Sequence, residues 1–272
     1  MAHLDQLLNQ RYGPAAAPAI ERINETIGVL LDHRSVRAYL PDALDEGTLE
    51  LLVAAAQSAS TSSNLQTWSV VAVEDKERKA RLAKLSGDQK HIDQAPLFLA
   101  WIADLSRLRN IAQREGLAGE GLDYFEAFLF SVIDAALAAQ NAVTAAESLG
   151  LGTVYIGGLR NRPEEVAAEL KLPPEAFAVF GLVVGRPNPG AAAAIKPRLA
   201  QDIVLHREQY HAGSQSEAVA RYDDTISAFY AAQKLPQQKW TEHSLGRIKG
   251  PESLGNRVRL AEIVRRLGFK LK

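Results

Sequence analysis

The stretch LDYFEAFLFSVIDAALAAQNAVTAAESLGLGTVYIGG, residues Leu122–Gly158, decides the fold. From Leu122 to Leu149 it is built largely of Ala, Leu, Val and Phe and is apolar on more than one face. A helix of that kind belongs at the centre of a fold or of a dimer. Gly150-Leu151-Gly152 ends it, and Thr153-Val154-Tyr155-Ile156 is a strand closing on Gly157-Gly158. The most apolar window, 127–146, contains Asp134, Gln140 and Asn141. Three such groups are costly in lipid, so the segment is expected to be a buried helix of a soluble protein instead of a membrane span.

Working outward, three further strands stand out as compact apolar runs: Trp68–Val73, Leu97–Ala103 behind Pro96, and Phe177–Val184. Helices separate them. Ile20, Ile23, Ile27, Leu30 and Leu31 recur at helical spacing, a second helix is expected over Gly47–Ala59, and a charged one over Lys76–Leu85. Beyond the central helix come Pro163–Leu170, with proline at its start, and a basic helix over Val258–Leu267. Four buried strands between helices imply one sheet covered on both sides, and nothing suggests two independent domains within residues 20–272. Residues 1–19 are Ala- and Pro-rich past Tyr12 and are expected to form a loosely attached extension. Dispersed aromatics between 199 and 244 mark an arm that packs on something.

Composition excludes several kinds of chemistry. With 47% hydrophobic and 23% charged residues and a formal charge of −1, no global field recruits nucleic acid or an anionic membrane. The basic segment around Arg257–Lys272 lacks the interleaved aromatics of a nucleic-acid site. There are no cysteines, hence no disulfide, no thiolate nucleophile and no cysteine metal site, which fits a reducing compartment. The polar N-terminus has no apolar core of a signal peptide, so a cytoplasmic protein is expected. The six histidines show no metal-ligand spacing with acidic neighbours. Gly150-Leu151-Gly152 precedes a strand and is followed by Tyr155, so it is not a dinucleotide-binding fingerprint. No phosphate-cradling P-loop and no nucleophile elbow are present.

What remains is a set of anion- and polar-ring-binding groups. His33-Arg34-Ser35-Val36-Arg37 carries two guanidiniums, the side chain best shaped to grip a phosphate with paired hydrogen bonds. Lys196-Pro197-Arg198 holds two cations in an extended segment, roughly 6–7 Å apart on one side. The polar run Ser58–Asn64 is rich in hydroxyl donors, and Gly157-Gly158 lets backbone N–H groups approach a flat ligand. Each also has an ordinary structural reading: a solvated basic turn, a solvated loop, a helix cap and a tight turn. Their order along the chain carries the specificity.

His-Arg-Ser-x-Arg near the start, a Ser/Thr run before the first strand, Gln89-Lys90-His91, Tyr155-Ile156-Gly157-Gly158 and Lys196-Pro197-Arg198-Leu199 together resemble the nitroreductase superfamily. The resemblance is to its NADPH-preferring, flavin-reductase-like group, and it covers residues 26–245. Ala138-Ala139-Gln140-Asn141 and the end of the long helix, Ala146–Gly152, look like that group's central helix.

The resemblance implies an α+β fold, a mixed sheet flanked by helices, in an intertwined homodimer embraced by a C-terminal arm and binding FMN at the interface. It implies that Arg34, Lys196 and Arg198 hold the FMN phosphate with His33 and Ser35 beside them, and that Arg37 reaches the pyrimidine edge. Thr61 and Ser63 would contact the flavin, Gln89, Lys90 and His91 its heteroatoms, and Tyr155, Ile156, Gly157 and Gly158 the ring face near N5. No side chain would act as catalyst. The implied activity is ping-pong hydride transfer from NADPH or NADH through FMN to small-molecule acceptors: nitroaromatics, quinones or free flavin. The rival readings are a non-catalytic FMN storage or delivery protein and a dedicated flavin reductase serving a partner enzyme. The sequence departs from the group in two places. The arm offers Gln233-Lys234 and Lys239 where arginine holds the NADPH 2′-phosphate, and Asn64 stands where a bulky apolar residue is common.

Overall fold

A computed structural model describes all residues except Met1, Ala15, Ala16, Ala19, Glu21, Ala192, Ala212 and Ser214, together with the side chains of Ala2 and His3. In chain order it contains α1 (Ala2–Tyr12), α2 (Glu25–Asp32), α3 (Thr48–Gln57), β1 (Trp68–Val73), α4 (Lys76–Leu85), α5 (Lys90–Gln94) and β2 (Leu97–Asp104). Then follow α6 (Ser106–Arg114), α7 (Phe125–Ser148), β3 (Gly152–Ile156), α8 (Pro163–Glu169) and β4 (Ala176–Gly185). The chain ends with α9 (Gln201–Val204), α10 (Ser216–Ala232), α11 (Trp240–Ile248) and α12 (Leu260–Arg266). These elements form two units, Met1–Arg34 with Ala192–Leu254, and Ser35–Ala191 with Gly255–Lys272.

The second unit carries the sheet. Its strand order is β1-β2-β4-β3 and every strand pair is antiparallel. Among the described residues, parallel pairing enters only at an isolated bridge between Ser35 and Thr153. All eight residues of β2 are buried, because Leu97, Leu99 and Trp101 pack in a cluster with α3, α7 and β4 while Phe98, Ala100 and Ile102 are buried on the other face. Burial on both faces explains an apolar run with no alternation. The alanines of α7 at 138, 139, 142 and 146 form its half of that cluster. Small side chains there let the helix backbone lie close to the sheet.

α7 is long and apolar enough to cross a bilayer by length and composition, yet it packs on this sheet and carries the fully buried Asp134. The opposite side of α7 is unusual. Phe125, Leu129, Ile133 and Leu137, four residues apart, are 41–53% exposed. Positions spaced by four lie one above another on a helix, so these make a continuous apolar stripe.

The first unit differs from the sequence reading at both of its N-terminal segments. The extension is not loose: Leu4, Leu7, Leu8 and Arg11 of α1 are buried. Their spacing puts four side chains on one face. α2 starts later than the spacing of Ile20 and Ile23 suggests, because Asn24 caps it by accepting a 2.9 Å hydrogen bond from the Ile27 N–H. A capping side chain satisfies one of the orphan N–H groups and fixes the helix start.

Candidate functional site

In the first unit the two basic segments are fastened by one residue. The Arg11 guanidinium donates to the carbonyls of Leu31 and His33, both at 2.8 Å, and to that of Lys196 at 3.1 Å. The Arg11 carbonyl accepts from the Arg198 backbone N–H at 2.7 Å. Arg34 follows His33 directly, so Arg34, Lys196 and Arg198 share a single anchor. In the 195–198 segment Ile195 and Pro197 are buried while Lys196 and Arg198 are exposed. Exposure thus alternates along the segment, and the Arg198 guanidinium also donates to the Lys196 and Pro197 carbonyls at 3.0 and 3.3 Å. The Pro197 carbonyl accepts from the buried Tyr222 hydroxyl at 2.9 Å. Arg34 pairs with Asp32 at 2.7 Å, and Lys196 meets the Tyr230 hydroxyl at 3.1 Å with its ammonium over the same ring.

In the second unit the segment after Arg34 lies against β3. The Val36 N–H donates to the Thr153 carbonyl at 2.9 Å, and a Cβ on Gly152 would come within 2.8 Å of Val36. Gly152 is therefore required for this approach. Val36 is buried while Ser35 and Arg37 are exposed. Burial holds the His91 pKa below its ordinary value, and the nearby Arg37 charge lowers it further. The His91 Nε2 is buried without a hydrogen-bond partner among the described residues. Gln89 is half-buried at the start of α5 and Lys90 is exposed.

The glycine pair is built on the same part of the unit. A Cβ on Gly158 would sit 2.2 Å from the Ser86 carbonyl oxygen, so the turn before α5 packs on the Gly157–Asn161 turn only because Gly158 lacks a side chain. Ile156 is buried and can offer a ligand only its backbone. Tyr155 stands edge-on to Phe180, and its hydroxyl lies 3.3 Å from the Gln140 side chain.

The hydroxyl run bends through three left-handed residues, Ser63, Asn64 and Gln66, with φ of 47°, 56° and 52°. Left-handed backbone is costly for such residues and persists only where the surroundings hold it. Here Asp134 holds it. Its carboxylate accepts from the Ser62 N–H at 2.9 Å and from the N–H and hydroxyl of Thr67 at 3.1 and 3.0 Å. Thr61 is half-buried and Ser63 exposed at the tip.

Sequence reasoning missed Arg11, Asp134, Tyr222 and Tyr230. Arg11 was legible: Leu4, Leu7, Leu8 and Arg11 follow the i, i+3, i+4, i+7 pattern of a packed helix face. Asp134 showed itself only as a charge in an apolar window, with nothing to name its partners.

The matches to known proteins fit this arrangement. Residues 30–186 match the nitroreductase family, and residues 196–272 match the C-terminal domain of that family. The chain is 36% identical over 252 residues to an FMN reductase (NADPH) of Bacillus subtilis, covering 91% of this chain and 99% of that one. It is 38% identical over 227 residues to an oxygen-insensitive NADPH nitroreductase of Salmonella typhimurium, covering 81% and 90% of the two chains. The solved structure of B. megaterium NfrA2 superposes with a TM-score of 0.86 at 36% identity, over 92% of this chain and all of that one. The anchored basic pair, the glycine-borne turn and the strained hydroxyl loop are thus set in a chain that belongs to the nitroreductase family.

Proposed function

We propose that the protein is an FMN-dependent NAD(P)H oxidoreductase. The observation that carries this reading is the exposed pair Lys196 and Arg198 on a segment whose carbonyls are held by Arg11 and Tyr222. Two cations on a fixed backbone, with Arg34 tied to the same anchor, suit a phosphate dianion. The buried Nε2 of His91, without a partner among the described residues, suits a polar ligand atom such as the flavin's heteroatom edge offers. The residues present therefore fit FMN.

In this reading Arg34, Lys196 and Arg198 bind the phosphate, with His33 and Ser35 beside them. Arg37 faces the pyrimidine edge, where a positive charge favours electron-rich flavin. Thr61, Ser63, Gln89, Lys90 and His91 bind ring heteroatoms, and Tyr155, Ile156, Gly157 and Gly158 offer backbone to the ring face. Held by these residues, FMN would supply the hydride and electron transfer between NAD(P)H and a nitroaromatic, quinone or free flavin. The chain's own task is to hold and orient, and none of its side chains acts as acid, base or nucleophile.

The working form in this reading is a cytoplasmic homodimer. Support comes from the exposed stripe Phe125, Leu129, Ile133 and Leu137 on α7. A contiguous apolar row differs from scattered exposed leucines and calls for a cover, here a second copy of the chain.

Steady-state kinetics test the function. With FMN bound, varying NADPH at several fixed nitroaromatic or quinone concentrations should give parallel double-reciprocal lines. Intersecting lines would rule out ping-pong transfer, and absence of turnover with all three acceptor classes would favour a storage role.

A further inference from the structure

The N-terminal helix α1 lies wholly ahead of the residues matched by the nitroreductase family, which begin at residue 30. It nevertheless supplies the residue that fastens the cationic segments together. Arg11 sits in the last turn of α1 and is 6% exposed. Leu31 and His33, which accept from its Nη2, lie at the C-terminal end of α2, where helix carbonyls lack helical partners. A cation there satisfies those carbonyls and faces the negative end of the helix dipole. Nη1 reaches the Lys196 carbonyl in the other segment. The main chain repeats the link, since the Arg11 carbonyl accepts the Arg198 N–H. A planar fork can span two segments in fixed directions, whereas a lysine ammonium offers one point.

We propose that Arg11 is a positioning residue for flavin phosphate binding: it sets the spacing between Arg34 and the Lys196–Arg198 pair, so that α1 must be docked for FMN to be held. This rests on the assignment of those three cations to the phosphate. Arg11 itself touches backbone carbonyls, and its effect passes through the cations it spaces. Loss of the fork removes none of the three cations but frees the two segments that carry them to drift apart.

The phosphate provides a selective readout, because riboflavin has the same ring without it. Dissociation constants for FMN and riboflavin are to be measured by flavin fluorescence on the wild-type protein, Arg11→Met and Arg11→Lys. The wild type should prefer FMN. In Arg11→Met, FMN affinity should fall roughly tenfold or more while riboflavin stays within about twofold, and Arg11→Lys should lose a smaller part of the preference. Unchanged FMN affinity in Arg11→Met, or equal weakening of both ligands, overturns the proposal with the wild-type preference intact. A wild type that does not distinguish the two flavins instead overturns the phosphate assignment, and the proposal with it. Should Arg11→Met not be recovered folded, Arg11→Lys decides by the same comparison: a preference equal to wild type overturns the proposal.

Discussion

The Asp134 carboxylate accepts both the backbone N–H and the hydroxyl of Thr67, at 3.1 and 3.0 Å, from the middle of a helix 67 residues further along the chain. With its other oxygen on the Ser62 N–H, this one side chain closes both ends of the loop that carries Ser63 and Asn64 in left-handed conformations. Asp134→Asn keeps the shape but turns an acceptor into a donor facing the Thr67 N–H. A loss of about 1–3 kcal/mol of stability is expected, read by denaturant unfolding, because a buried donor is left unpaired. FMN affinity should fall with it. Wild-type unfolding and wild-type FMN affinity in the variant would remove Asp134 as the clamp.

Arg198→Ala removes one phosphate cation but leaves its backbone N–H on Arg11. FMN binding should weaken by roughly 1.5–3 kcal/mol, the scale of a charged hydrogen bond, while riboflavin binding is retained. Flavin fluorescence titration measures both. Equal loss for both flavins would place Arg198 outside the phosphate site.

Asp123 governs acid stability in the second unit. It is buried and accepts from Lys270 at 2.9 Å, Lys272 at 3.0 Å and Arg109 at 2.7 Å. These bonds, led by Lys270 and Lys272, hold its pKa well below the ordinary carboxylate value of 3.8. A lowered native pKa means the unfolded state takes up the proton first. The stabilisation is therefore complete well above 3.8 and is lost progressively as the pH falls below it. Thermal melts should show the wild type losing stability over that range. Asp123→Asn should melt lower at neutral pH and show a shallower decline in acid, and an unchanged acid slope would contradict the assignment.

The apolar stripe on α7 predicts that Ile133→Glu, at a site 47% exposed, leaves the fold intact and shifts the protein towards monomer. A carboxylate buried between two copies without a partner is strongly unfavourable. Sedimentation velocity reads the shift. A dimer that persists would move the interface elsewhere.

Much of the fold was legible where physics is local. β1 and α4 fall on the residues the sequence suggests, since a β-branched run and a charged helix opened by Asp75 announce their own ends. The order of the basic and glycine motifs also suggested the flavin site proposed above, because phosphate and flat-ring ligands demand those residue types. The rest depended on contacts remote in sequence. Arg11 joins 31, 33 and 196, and Asp134 joins 62 and 67, and no spacing rule predicts such pairs. Gly158 read as either a turn glycine or one that lets backbone approach a flat ligand, and its closeness to the Ser86 carbonyl was not announced by any local motif.

Anaerobic stopped-flow mixing of the FMN-loaded protein with NADPH, followed by a nitroaromatic or quinone, tests the central claim most directly. The account predicts that the flavin absorbance bleaches on the first mixing and returns on the second, with one NADPH consumed per flavin. Flavin absorbance that stays unchanged with both NADPH and NADH would contradict it.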